Sequence, residues 1–107
     1  MFSTFFIVAD SSMDHLRGQD KLTHFAQNKT IATGNTMSNY FCSLCGSLMY
    51  RVSSGLPGYS VMRTGTVDDF SLHEKNLKPR NEAYVKDRVS WFHGIEGAKQ
   101  HQDQPQE

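Results

Sequence analysis

Cys42 and Cys45 stand in the run Tyr40-Phe41-Cys42-Ser43-Leu44-Cys45-Gly46-Ser47 and are the two cysteines of the chain. Their C-x-x-C spacing brings two thiolates together across a tight turn. Gly46 directly after them lets backbone N–H groups swing back toward the sulfurs. The motif has the shape of a zinc knuckle, and tetrahedral zinc takes four ligands. It therefore predicts a tight turn, and it leaves half of a metal site to be found elsewhere.

Three readings of the pair compete. A redox dithiol usually opens a helix after a strand, because the helix N-terminus lowers the thiol pKa. Here Gly46-Ser47-Leu48-Met49-Tyr50-Arg51-Val52 follows, which reads as strand. A pair of buried thiols binding nothing is the second reading. A zinc half-site is the third, and it fits this sequence best. Histidine candidates for the missing ligands are His15, His24, His73, His93 and His101, none at a paired ligand spacing. Two knuckles meeting across a homodimer would also supply four thiolates. Two close cysteines do not make a disulfide framework, and a reducing, cytoplasmic setting is expected.

The chain has 107 residues, with 11 basic and 11 acidic side chains and a formal net charge of zero. That is the length of one domain with a limited core, for which a metal clip is a natural supplement. Zero net charge argues against a nucleic-acid or membrane surface. No apolar run approaches the roughly 20 residues of a membrane span. The apolar stretch Phe2–Ala9 has no basic residues before it and is followed by Asp10, unlike a signal peptide.

Aromatic and β-branched residues predict a buried strand over Phe2–Ala9, then a turn at Asp10-Ser11-Ser12. Further strands are predicted over Lys21–Ala26 and Ser47–Val52, with a hairpin turn at Gly34-Asn35 within Ile31–Thr36 and Met37–Phe41 leading into the cysteine turn. Residues 53–58 hold two glycines and a proline, which mark a loop. In the next strand, Tyr59–Arg63, alternation puts Tyr59, Val61 and Arg63 on one face. Gly65–Asp69 reads as a turn, Ala83–Lys86 as a late strand, and Trp91 with Phe92 as a packing anchor. The class is mostly β, with short antiparallel strands. A domain over residues 1–95 is expected, followed by a disordered polar tail over 96–107.

A set of runs resembles the glutathione-dependent formaldehyde-activating enzyme family, which also includes centromere protein V. It comprises Phe41-Cys42-Ser43-Leu44-Cys45-Gly46-Ser47, Tyr50-Arg51, Pro57-Gly58, Arg63-Thr64-Gly65-Thr66-Val67-Asp68-Asp69 and Arg88-Val89-Ser90-Trp91-Phe92. Phe5–Val8 and Leu16–Leu22 are also similar to its middle section. The resemblance implies a β-tent-like, zinc-bearing fold and carbon–sulfur chemistry: joining formaldehyde to glutathione as S-hydroxymethylglutathione, or the reverse lyase step. It implies that Cys42 and Cys45 are ligands of a structural zinc. Family members also carry a C-x-C motif near the N-terminus and a middle cysteine cluster holding a second zinc associated with activity. Nothing in this chain matches those two motifs, so the resemblance implies an N-terminally shortened member with no catalytic residue assigned.

Arginine forks suit carboxylates, so Arg63 is a candidate for contact with a substrate carboxylate such as those of glutathione, against the alternative of an internal salt bridge. Asp68 and Asp69, as neighbours in extended chain, point to opposite sides, which suits turn capping and pairing better than a shared acid–base role. Two function classes stay open. One is a zinc-dependent carbon–sulfur lyase acting on glutathione–aldehyde adducts. The other is a non-catalytic zinc-binding interaction module or remnant.

Overall fold

Short runs of alternating or β-branched residues separated by turn residues form a mostly β structure, a computed structural model in which residues 2–29 and 34–103 are described. Two compact units are present: residues 5–67, and the flanking residues up to 4 together with those from 68 onward.

The larger unit is a five-stranded antiparallel sheet. Its strands are β1 (Phe5–Ala9), β2 (Leu22–Gln27), β3 (Met37–Cys42), β4 (Leu48–Ser53) and β5 (Tyr59–Arg63), in spatial order β1-β5-β4-β3-β2. The first strand therefore lands beside the last, with Phe5 opposite Arg63 and Ala9 opposite Tyr59. Residues 2–9 are expected to form a buried strand. Instead β1 starts at Phe5 and occupies an edge, with Phe5 50% and Ile7 46% exposed. An edge strand packs on one neighbour only, so its side chains lose less water than those of a central strand. The hairpin turn predicted within 31–36 falls between β2 and β3 in sequence, and residues 30–33 lie outside the described residues.

Cross-strand register builds the core. Tyr40 is opposite Tyr50 on β4 and opposite His24 on β2, and Met62 on β5 faces Tyr50. The rings stack in a row: His24 on Tyr40 at 5.3 Å and Tyr40 on Tyr50 at 4.8 Å between centroids. Such pairs add about 0.5–1.5 kcal/mol each beyond the area they bury. Tyr50 is the buried hydrophobic side chain among the described residues, and Ser60, at 1% exposure, donates its hydroxyl to Asp10 Oδ1 at 2.6 Å. Between Tyr40 and Phe41 the β3–β4 register shifts, so that Phe41 pairs with Leu48. That bulge sits directly before the cysteine turn, where an extra residue bends and twists the hairpin.

In the second unit, Asp69 caps the short helix α1 (Phe70–Glu74) by accepting from the Ser71 backbone N–H at 3.0 Å. A parallel ladder joins β6 (Asn81–Glu82) to β7 (Lys99–Gln100). The sequence predicts a strand at Ala83–Lys86, but Tyr84 takes a left-handed conformation (φ +55°) and Val85–Asp87 turn as a 3-10 helix. The segment from 96, expected to be disordered on composition, carries β7 and further backbone bonds. Tyr84 N–H donates to Asp103 O and Val85 N–H to His101 O. Backbone pairing asks nothing of side-chain polarity, which is why composition misses it. Residues 104–107 lie outside the described residues. Trp91, expected as a core anchor, is 63% exposed because it sits within the turn closed by Phe92 N–H on Val89 O. Phe92 does anchor, stacked flat on Phe2 at 4.4 Å.

Candidate functional site

Cys42 is the last residue of β3, and the chain reverses before β4 begins at Leu48. Three backbone bonds hold the reversal. Gly46 N–H donates to Cys42 O at 2.8 Å, Cys42 N–H to Ser47 O at 2.9 Å, and Ser43 N–H to Lys21 O at 2.9 Å. Gly46 has φ +79°, a left-handed conformation that favours glycine. The glycine of the motif is thus a geometric requirement of the turn.

The thiols are both free, Cys42 half-buried and Cys45 exposed. Cys45 Sγ lies 3.4 Å from Ser47 Oγ. The Ser47 side chain and then its backbone hold the Cys45 thiol below its ordinary pKa, with Cys42 adding a smaller contribution. Deprotonated thiols are the form that ligates metal. The pair offers two thiol donors, half the number that tetrahedral zinc takes.

The described residues do not fit the other two corners. Among them, no three His, Cys, Asp or Glu side chains come together as a metal-holding group. The candidate histidines have other settings. His15 Nε2 is 3.1 Å from Tyr50 Oη, His24 stacks on Tyr40, His73 tilts against Phe70 at 5.1 Å, and His101 Nε2 is 3.0 Å from Asn81 Oδ1. His93 is exposed.

Arg63 ends β5 on the face it shares with Val61 and Tyr59. Arg51 on β4 is opposite Val61, so the two arginines are diagonal neighbours on that face. Arg51 Nε donates to Asn39 Oδ1 at 2.7 Å, and Asn39 is its cross-strand partner on β3. Burial, and then the charge of Arg63, hold the Arg51 guanidinium below its ordinary pKa. Among the described residues the ion pairs are Lys21–Asp20, Lys86–Asp103 and Arg88–Glu82, so neither arginine has a carboxylate partner. The internal salt bridge weighed for Arg63 is not formed among the described residues. Asp69 is spent on its cap, where Ser71 lowers its pKa, and Asp68 is exposed.

Arg51 was not singled out in the sequence. Its place beside Arg63 depends on which residues of β4 and β5 face each other, which no local pattern states. The Tyr40–Tyr50 pair escaped for the same reason. At the far end of β5, Thr64 is 6% exposed and its hydroxyl has no hydrogen-bond partner among the described residues.

The sequence profile of the glutathione-dependent formaldehyde-activating enzymes matches residues 1–87. The chain belongs to that family. The matched span takes in the whole larger unit, with the knuckle, Arg51 and Arg63, and reaches past the Asp69 cap. Searches among curated proteins and among solved structures found no match. Membership ties this formaldehyde-activating family chain to glutathione-dependent, formaldehyde-related function.

Proposed function

We propose that this protein acts on glutathione–formaldehyde adducts by carbon–sulfur chemistry, with zinc as cofactor, in a reducing cytoplasmic setting. In one direction the thiol sulfur of glutathione bonds to the formaldehyde carbon and the thiol proton passes to the carbonyl oxygen, giving S-hydroxymethylglutathione. The lyase direction reverses both transfers. The observation that carries this reading is the family match over residues 1–87.

Cys42 and Cys45 are the proposed zinc ligands in a structural role. Two donors are half of a tetrahedral set, so no catalytic step is assigned through a metal at this knuckle. Zinc in a complete catalytic site would polarise the adduct or hold the thiolate. Arg63 is the proposed contact for a glutathione carboxylate.

A direct test follows carbon-13 formaldehyde and glutathione by NMR, with and without protein. Faster approach to the adduct equilibrium than in buffer supports the enzyme. Equal rates with zinc-loaded, folded protein reject it.

The two-donor count favours a second reading, a non-catalytic zinc-binding module whose site is completed by a homodimer. Elemental analysis with mass by light scattering separates the two. One zinc per two chains in a dimer, abolished by Cys42→Ser, supports the module. One zinc per monomer rejects it.

A further inference from the structure

Like charges on one sheet face repel, and an arginine loses hydration when half-buried. Two such groups kept together without a carboxylate among the described residues are open to a counter-charge brought by a ligand. Arg51 and Arg63 meet both conditions. They are diagonal neighbours on β4 and β5, roughly 7–8 Å apart between Cα atoms for such pairs. Both are half-buried, and neither reaches a carboxylate among the described residues.

The surroundings narrow the partner. The Asn39 bond takes the Arg51 Nε and leaves the terminal amino groups of its fork without a protein acceptor among the described residues. Asn39 thereby steadies the guanidinium while its donors stay available. Around the two forks the same face carries Val61 and, on the neighbouring edge strand, Phe5 and Ile7, both about half exposed. A highly hydrated small anion gains little from such walls. A carboxylate attached to a flexible, partly apolar body uses both features, and planar forks match carboxylates bidentately.

We propose that Arg51 and Arg63 form a carboxylate clamp on this face of the sheet that binds a glutathione-type peptide, with Arg51 steadied by Asn39. This rests on the glutathione reading above and adds Arg51 and Asn39 to it. Arg51 and Arg63 touch the ligand; Asn39 is a positioning residue. The clamp uses the charge of the ligand's ends and leaves its sulfur untouched.

Calorimetry with the full chain tests it, using glutathione, S-methylglutathione, glutathione diethyl ester and glutarate. S-methylglutathione should bind as glutathione does, since the clamp does not hold the thiol. The diethyl ester, with both carboxylates neutralised, should bind at least about tenfold more weakly, as losing a charge-assisted bond implies. Arg51→Gln and Arg63→Gln should each weaken glutathione by a similar factor, and Arg51→Lys should restore part of the loss. Asn39→Ala should weaken it less than Arg51→Gln does. The ester comparison needs no variant, so it stands even where a substitution impairs folding. Equal binding of glutathione and its diethyl ester overturns the clamp and leaves the proposed function standing. No binding of glutathione, with glutarate bound and lost in both variants, keeps a carboxylate clamp but overturns its peptide ligand and the glutathione reading. Binding of neither glutathione nor glutarate overturns the clamp.

Discussion

Gly94 sits at φ +90°, and a methyl group there would lie 2.5 Å from Arg88 Nη1 and 2.7 Å from Glu82 Oε2. Those two groups form the least exposed ion pair among the described residues, at 2.9 Å, and Glu82 also accepts from Ile95 N–H at 2.9 Å. Glycine is needed twice over, for its conformation and for its missing side chain. Gly94→Ala should therefore cost about 2–3 kcal/mol, read from the denaturant midpoint, and Glu82→Gln, which keeps one acceptor oxygen but turns an amino group toward the other donor, should also destabilise. Equal stability of Gly94→Ala and wild type would mean the pair does not matter. At Asp69 the sign of the pH effect follows from the cap. Ser71 depresses the carboxyl pKa, so its stabilisation is complete above the ordinary aspartate value of about 3.9 and is lost as pH falls through the depressed one. Asp69→Asn removes the titration and keeps an acceptor. Its stability should vary less with pH on the acid side than that of wild type, and identical acid limbs would reject the assignment.

Among the elements, the β3–β4 hairpin carries the most. It joins the Tyr40–Tyr50 stack to the cysteine turn through a register shift, so the turn is positioned by the core. Tyr50→Phe keeps the stack and loses the contact between its hydroxyl and His15. That should cost about 1 kcal/mol, whereas Tyr50→Ala should cost about 3–5 kcal/mol by opening the core. Chemical denaturation distinguishes the two, and similar losses would mean the ring contributes little. At the turn itself, Gly46→Ala meets open space but keeps φ +79°. The expected cost is about 1 kcal/mol from backbone strain alone. Zinc content measured on the same variant would then report whether the turn shape sets metal affinity. Loss of metal with modest loss of stability is the expected outcome.

At the scale of the whole molecule, the larger unit buries few side chains deeply. Tyr50, Ser60 and Thr64 are the buried residues among those described. A thin core relies on ladder hydrogen bonds, which are protected best away from the sheet edges. Amide exchange should be slowest in β4, intermediate in β3 and β5, and fastest in β1 and β2. Uniform protection across all five strands would contradict that ranking. No described helix is long and apolar enough to cross a membrane.

Local chemistry in the sequence determined four of the five sheet strands, their short length and the turn at Cys42–Ser47. Period-two alternation, turn residues and a glycine after the second cysteine act over a few residues. The run from Phe41 to Asp69 also carried the family. Tertiary structure decided the rest. The edge position of β1 depends on its pairing with β5, about fifty residues away in sequence, which no local pattern encodes. The short strand β7 forms because Asn81–Glu82 offer backbone partners to a polar segment with no apolar residues to bury. Trp91 looked like core by residue type and is exposed by its place in a turn. Arg63 was legible as a single arginine, while Arg51 joined it only through cross-strand register. Register is fixed by the summed packing of the sheet, and that sum is visible only once the chain has folded.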